Sequence, residues 1–301
     1  MSQTVLIGGG TGLIGSRLTN LLTKKGYTVH ILSRKKREST KSIKYFQWDL
    51  KEMTIDREAT NVDHIINLTG AGIADARWTD SRKKILISSR VNSAKLLHKI
   101  LKDTGHRPKS FVSASAVGYY GDRGSEVLLE SSLPGESGFM VDCCVAWEES
   151  AQELASAVDR LVINRVGIVL SKKAGALPKI LMTRPMLSYF GDGRQYYPWI
   201  HIDDVCQIFI SSIEDNSRKG IYNATAPASL TNKEFTEKIK AAVGGLIIPA
   251  PTFALRLAMG EMANVVLNSN NVIPRKLLDE SYSWKFSDLT AAVKDIMERK
   301  V

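Results

Sequence analysis

Five glycines fall within eight positions near the start of the chain, Gly8, Gly9, Gly10, Gly12 and Gly15, and they constrain the fold more than any other feature. Val5-Leu6-Ile7 before them has the shape of a strand. Leu13, Ile14, Leu18, Leu21 and Leu22 after them recur at helical spacing until Gly26 closes the helix. A strand that turns sharply into a helix is the first half of a βαβ unit, which places the next strand parallel to the first. Gly10-Thr11-Gly12-Leu13-Ile14-Gly15 satisfies G-x-G-x-x-G, and Gly9, Gly12 and Gly15 satisfy G-x-x-G-x-x-G. Residues without side chains let the backbone approach a pyrophosphate, while the helix start offers free N–H groups and the positive end of its dipole. The same loop can also be only a tight turn, so the strand before it and the helix after it matter to the reading.

The rest of the pattern extends this unit. Val29-His30-Ile31-Leu32, Tyr45-Phe46-Gln47-Trp48, His64-Ile65-Ile66-Asn67-Leu68, Ser110-Phe111-Val112-Ser113 and Leu161-Val162-Ile163-Asn164 are shaped like strands. Helical periodicity runs through Ile85, Val91, Ala94, Leu97 and Leu101 and again around Trp147, Ala151 and Leu154. This alternation predicts an α/β protein with a Rossmann-type doubly wound parallel sheet covered on both faces. After about Val169 the chain passes Gly175, Pro178, Pro185, Gly191, Gly193 and Pro198 in quick succession, a composition that suits substrate-covering loops. Trp199-Ile200-His201-Ile202 before Asp203-Asp204 reads as a short strand entering a capped helix. Thr231-Asn232-Lys233-Glu234 has capping-box spacing, and Ser287 is placed to cap a last helix. The expected organisation is a nucleotide-binding domain over residues 1–170, to which 199–225 returns, and a smaller mixed substrate-binding and C-terminal lobe over 171–301.

Composition narrows the partners. With 41 Lys+Arg against 31 Asp+Glu the formal charge is +10, yet the densest basic run, Arg34 to Arg37, is four residues long. No zinc-finger spacing or aromatic-basic motif accompanies it, so a small-molecule ligand is expected and nucleic acid is not. The apolar runs are too short to cross a membrane, and the start enters a strand without a signal-peptide layout. Three cysteines, two of them adjacent at Cys143 and Cys144, cannot build a disulfide framework. These features together point to the cytoplasm. The five histidines show no ligand spacing with cysteines or acids, so no metal is expected.

At the end of the second strand, where an NAD site places an acid for the ribose 2′-hydroxyl, the chain has Ser33-Arg34-Lys35-Lys36. A hydroxyl and a guanidinium suit a 2′-phosphate, because arginine makes paired charge-assisted bonds to its oxygens. The cofactor read from these residues is NADP(H).

Taken with Asn67-Leu68-Thr69-Gly70-Ala71-Gly72, Ser113-Ala114-Ser115-Ala116-Val117-Gly118-Tyr119-Tyr120-Gly121 and Trp199–Asp204, the glycine loop resembles that of the extended short-chain dehydrogenase/reductases. The chain is most similar to their atypical "epimerase family protein" branch, the sugar-nucleotide-epimerase-like proteins with a short C-terminal domain. Arg77-Trp78, Ser89-Arg90-Val91, Trp147-Glu148, Gly220 to Pro227 and Val272-Ile273-Pro274-Arg275 also fit that branch. The resemblance implies that Gly9, Thr11, Gly12, Leu13, Ile14 and Gly15 cradle the cofactor, with Ser33 and Arg34 at the 2′-phosphate. It further implies Leu68, Thr69 and Gly70 beside the cofactor, Arg90 reaching it from the next helix, Ser113 on the neighbouring strand, and Val169 near the nicotinamide. Read without the resemblance, Arg90 is an ordinary surface-helix arginine. A homodimer through helices flanking the Ser113 strand is likewise implied.

Reductases and epimerases of this kind normally use Tyr-x-x-x-Lys, in which the lysine charge lowers the phenol's pKa. None of the nine tyrosines has a lysine four positions on. Alignment by the serine-rich strand puts the two positions near Cys143 and Trp147. The serine survives as Ser115, able to hydrogen-bond a substrate carbonyl or hydroxyl, and Tyr119 or Tyr120 is the nearest proton donor. Aromatic packing is the competing reading of both tyrosines. Cys143 near a helix start is a second acid or nucleophile, or simply a small hydrophobe. Arg194, in Gly191-Asp192-Gly193-Arg194-Gln195, is placed to bind an anionic substrate group or simply to face solvent, and His201 is a further substrate-side candidate, against the structural reading in which Asp203 or Asp204 caps the helix while His201 satisfies backbone groups. Two functions follow: an NADP(H)-dependent oxidoreductase or epimerase-like enzyme for a small polar or nucleotide-sugar-like substrate, or a non-catalytic NADP(H)-binding regulatory module.

Overall fold

The computed structural model describes residues 3–299. Strand β1 (Thr4–Gly8) leads through the glycines into α1 (Leu13–Lys24), and β2 (Thr28–Ser33) returns beside β1. Strands β3 (Ile43–Asp49), β4 (Thr54–Ile55) and β5 (His64–Asn67) follow, then α2 (Asp80–Thr104), β6 (Ser110–Ala116) and α3 (Phe139–Gln152). The strands Leu161–Val166 and Gly220–Ala224 complete an eight-stranded sheet. Its order is Gly220–Ala224, Leu161–Val166, β6, β5, β1, β2, β3, β4, and every neighbouring pair is parallel except β3 with β4.

Side-chain alternation along the strands divides the core in two. Val5, Ile7, Val29, Ile31, Ile66 and Val112 meet Leu18 and Leu22 of α1 and Val205, Ile208 and Phe209 of the helix Ile202–Glu214. On the other face Leu6, Ile65, Phe111 and Ile163 meet Ala94, Leu97 and Leu101 of α2 and Ala151 and Leu154 of the α3 side. A third cluster gathers Leu187, Trp199, Phe235, Ile239, Leu289 and Val293. The parallel pair Met186–Phe190 with Leu246–Ala250 packs into it through Leu187, Phe190 and Ile247. So does the helix Asn232–Val243, whose Thr231 and Glu234 form the expected capping box.

Two junctions differ in detail from the sequence reading. The last helix, Leu289–Glu298, is capped by Asp288, whose carboxylate accepts from Ala291 N–H at 3.0 Å, and not by Ser287. The helix Ile202–Glu214 is capped by His201, leaving both aspartates for other work. Asp203 pairs with Arg17 and Arg299, while Asp204 accepts the N–H groups of Lys285 and Phe286. No helix among the described residues is long and apolar enough to cross a membrane.

Candidate functional site

The carboxyl ends of β1, β2, β5 and β6 come together above the glycine loop, the position where doubly wound sheets bind ligands. Gly9 has φ +76°, and a Cβ there would lie 2.8 Å from Leu68 O. A Cβ on Gly15 would lie 2.3 Å from Gly9 O, so α1 can start this close to the loop only with glycine. Gly12 N–H donates to Gly9 O at 3.0 Å and Gly12 is the N-cap of α1, with no side chain to cap the helix. The first-turn amides of Leu13 and Ile14 are therefore left as donors at the positive end of the dipole. This is a cradle that a pyrophosphate fits.

Ser33 ends β2, its hydroxyl turned back on Lys35 O at 2.8 Å, and Arg34 is exposed beside it. A cavity of about 350 Å³ opens between the glycine loop and β3, lined by Gly10, Thr11, Ile31, Arg37, Ile43 and Tyr45. Arg37 lies 5.8 Å from the Tyr45 ring centre. Arg37 and Tyr45 join Ser33 and Arg34 on this side of the sheet. The basic run contained the first, but only the strand pairing places the second.

Beyond β5, Thr69 N–H donates to Asn67 Oδ1, and the Thr69 hydroxyl is buried without a partner. Gly70 serves a neighbour: its Cβ would fall 2.8 Å from Arg90 Cζ. Arg90 is buried, not on the helix surface. Its Nη1 donates to Leu86 O and Ala71 O, and its guanidinium lies 4.7 Å from the Trp147 ring centre. Burial lowers its pKa below the ordinary arginine value. The Trp147 Nε1–H is also buried and unpartnered. Ser113 is sealed within β6, its hydroxyl donating to Ala114 O, and Val169 packs partly buried on the α1 side of the sheet.

The serine end of the crevice is organised by register. Ser115, Arg165 and Asn223 stand side by side on three neighbouring strands. Ser115 Oγ donates to Glu148 Oε1 at 2.6 Å, and Arg165 binds both Glu148 oxygens at 2.8 and 2.9 Å. Burial opposes the Arg165 charge, but the hydrogen bonds and charge attraction of Glu148 and Tyr120 together outweigh it and raise the pKa above the ordinary value. The network reaches the segment around Ile273, where Asn223 Nδ2 donates to Ile273 O and Glu130 Oε1 accepts from Asn223 and Lys276 N–H.

Tyr120 is enclosed in this network. Its hydroxyl accepts from Arg165 Nη1 at 2.9 Å and lies 2.7 Å from Asn223 Oδ1 and 3.0 Å from Leu129 O. Burial pushes its pKa up to about 12 against the opposing pull of Arg165. That environment is the reverse of what a proton donor needs, which corrects the reading of Tyr120 as an acid. Tyr119 is partly exposed, with the Arg165 guanidinium 3.5 Å from its ring centre, and its hydroxyl has no partner among the described residues.

The phase of α3 also differs from expectation. Met140 and Cys144 stand against Gly118, and Glu148, four residues further on, meets Ser115. Cys143 and Trp147 instead face α2, with Cys143 in a cluster with Leu86 and Phe139. Burial raises both thiol pKa values, so neither cysteine is activated as a thiolate.

Of the two readings of His201 the structural one holds, which corrects its place as a substrate residue. It is fully enclosed, its Nδ1 accepting from Asp203 N–H and its ring 4.1 Å from that of Phe286. Burial lowers its pKa to about 4. Arg194 is exposed and lines a separate cavity of about 660 Å³, between the loop after Gly121 and the loop after Phe190, together with Asp122, Gln195, Arg256 and Ser269.

Comparison with known proteins agrees with this geometry. Residues 5–225 match the NAD dependent epimerase/dehydratase family, and residues 250–296 match a domain of unknown function, DUF1731. The chain is 32% identical to the epimerase family protein YfhF of Bacillus subtilis, over 98% of each chain. It is 34% identical to the mouse epimerase family protein SDR39U1, over 97% of this chain and 99% of that one. The crystal structure of human SDR39U1 (isoform 2) with NADPH superposes with a TM-score of 0.89 at 32% identity, covering 99% of this chain and 100% of that chain. Thermus thermophilus UDP-glucose 4-epimerase, crystallised with NAD, shares the fold at 19% identity with a TM-score of 0.76, covering 99% of this chain and 100% of that chain.

Proposed function

Since the chain belongs to the NAD dependent epimerase/dehydratase family, we propose that it is an NADP(H)-dependent oxidoreductase or epimerase-like enzyme acting on a small polar substrate, nucleotide-sugar-like compounds included. The observation that carries this reading is the glycine cradle at the uncapped start of α1, opening onto the Arg34 and Arg37 side of the sheet. The NADPH of the human relative strengthens it.

Gly9, Thr11, Gly12, Leu13, Ile14 and Gly15 would hold the pyrophosphate, and Ser33, Arg34 and Arg37 the 2′-phosphate. Leu68, Thr69 and Val169 would flank the rest of the cofactor, with the Thr69 hydroxyl and the Trp147 N–H available to its polar groups. When bound, the cofactor supplies or accepts a hydride. Ser115 would contact the substrate oxygen, and Tyr119, or a water, would handle the proton. Arg194 would meet an anionic part of the substrate from the small lobe. Residues 1–170 with 199–225 would form the cofactor domain, and the rest of 171–301 the substrate lobe. Three free buried cysteines suit a reducing compartment such as the cytoplasm.

The test is a titration with NADPH and NADH followed by tryptophan fluorescence, then incubation of the NADPH complex with a metabolite mixture while the nicotinamide absorbance is watched. Selective NADPH binding with oxidation supports the enzyme; absence of binding refutes the reading altogether. A second reading, a non-catalytic NADP(H)-binding regulatory module, is favoured by Met140 and Cys144 at the positions facing the serine end. It requires tight NADPH binding without turnover, and a partner association that changes with NADPH or NADP⁺.

A further inference from the structure

Glu148 has no place in the chemistry described so far, yet it is buried within hydrogen-bond reach of the one serine at the crevice end of β6. Arg165 Nε and Nη2 hold its two oxygens, and the two side chains are 1% and 5% exposed. Paired in this way, Glu148 is a carboxylate, and a carboxylate offers only lone pairs. The 2.6 Å contact from Ser115 therefore uses the single hydroxyl proton. A serine hydroxyl has one proton and two lone pairs, so acceptor capacity is all that Ser115 retains for any other group. A ketone oxygen brought to it would set lone pairs against lone pairs, whereas an alcohol O–H would donate. Tyr120 cannot supply the missing donor, because its proton lies among Asn223 Oδ1 and Leu129 O and its oxygen accepts from Arg165.

We propose that Glu148 is a positioning residue that makes Ser115 a hydrogen-bond acceptor, so that the group recognised at Ser115 is the hydroxyl of an alcohol-bearing substrate and not a carbonyl. The proposal rests on the crevice being the cofactor-dependent site argued above, and it deepens that reading by naming the functional group that binds. It also inverts the usual expectation for such a serine, which is to polarise a carbonyl by donation. The substrate's proton acceptor at this position is then a hydroxyl backed by a carboxylate.

The test has two arms. Neutron diffraction from deuterium-exchanged crystals locates the Ser115 deuteron without needing a substrate. It is expected between Ser115 Oγ and Glu148 Oε1, and a deuteron pointing away from Glu148 overturns the proposal. The second arm offers the protein matched secondary alcohols and ketones, the alcohols with NADP⁺ and the ketones with NADPH, with binding read by saturation-transfer NMR. The wild type is expected to favour alcohols by about tenfold, the discrimination of one hydrogen bond. Ser115→Ala should lose the preference and Ser115→Thr should keep it. The double variant Glu148→Met with Arg165→Met, which frees the serine proton, should bind both classes. A preference for ketones, a preference that survives Ser115→Ala, or no binding of either class overturns the proposal. NADPH affinity is measured alongside in every variant. Its loss in the wild type would instead refute the underlying cofactor reading, while the neutron arm would still decide the polarity.

Discussion

Removing one partner of the Glu148–Arg165 pair should be far more damaging than removing both. In Glu148→Ala the Arg165 guanidinium, 1% exposed, loses the acceptors of its Nε and Nη2 and remains charged in the interior. Breaking a buried pair from one side costs about 3–5 kcal/mol, because the surviving charge is left uncompensated. That is a fifth or more of the roughly 5–15 kcal/mol that holds a typical domain folded. At about 2–4 °C per kcal/mol for large domains, the melting temperature should fall by about 6–20 °C. Glu148→Met combined with Arg165→Met removes both charges at similar volume and should stay within about 1–2 kcal/mol of wild type. Tyr120 keeps Asn223 and Leu129 as acceptors in that variant, so its hydroxyl is not orphaned. Urea titration of the wild type, both single variants and the double variant measures the coupling directly. A cost below about 1 kcal/mol for Glu148→Ala would refute the reasoning. So would a double variant as unstable as the sum of the singles, since either result means that the pair is not held out of water.

Arg34→Ala should weaken NADPH binding by about 10- to 150-fold, the value of one charged hydrogen bond, with NADH affinity nearly unchanged; calorimetric titration of both cofactors checks this. Gly15→Ala should abolish NADPH binding and destabilise the fold by about 1–3 kcal/mol, because its Cβ would meet the backbone of Gly9 and Gly10, which cannot move aside; thermal melts with and without NADPH separate the two effects. Acid should destabilise the protein through His64, whose pKa burial lowers to about 4. The unfolded chain takes that proton near 6.5 and the native one does not, so stability is full above pH 6.5 and drains as pH falls toward 4. About 2 kcal/mol should be gone by pH 5, and urea titrations at pH 7 and pH 5 should show a smaller drop in His64→Gln.

The glycine cradle was legible in the sequence because its causes are local. The close approach of Gly15 to Gly9 and the positive φ of Gly9 act within seven residues, and alternating apolar residues announce the strands on either side. The polar row was not legible, because Ser115, Arg165 and Asn223 lie on three strands about fifty residues apart and meet only through register. A periodicity reading treats each of them as an interruption of an apolar run. The phase of α3 failed for a different reason. Each residue turns a helix by about 100°, so a small error in where the helix aligns with the serine strand exchanges the Met140–Cys144–Glu148 face for the Cys143–Trp147 face. His201 shows the limit of reading chemistry from neighbours in sequence. The aspartates next to it are the ordinary capping residues, but the strand Trp199–His201 carries the histidine inward, and its ring takes the cap in their place.

The chemistry of the crevice therefore depends on proton ownership more than on residue inventory. Ser115 and Tyr120 both survive from the expected set, and a list of residues would count both as available donors. In the structure Glu148 takes the proton of the first, and Arg165 with Asn223 and Leu129 encloses the second. Of the hydroxyls in that constellation, Tyr119 alone keeps a proton without a partner among the described residues, and the cation against its ring is the Arg165 guanidinium. Each absence seen in the sequence is thus matched by a buried partner that redirects what remains. An enzyme built on this crevice must draw its proton transfer from Tyr119, from water or from the carboxylate behind Ser115. Variants at Glu148 and at Tyr119 divide those routes more sharply than variants at Ser115, which all of them share.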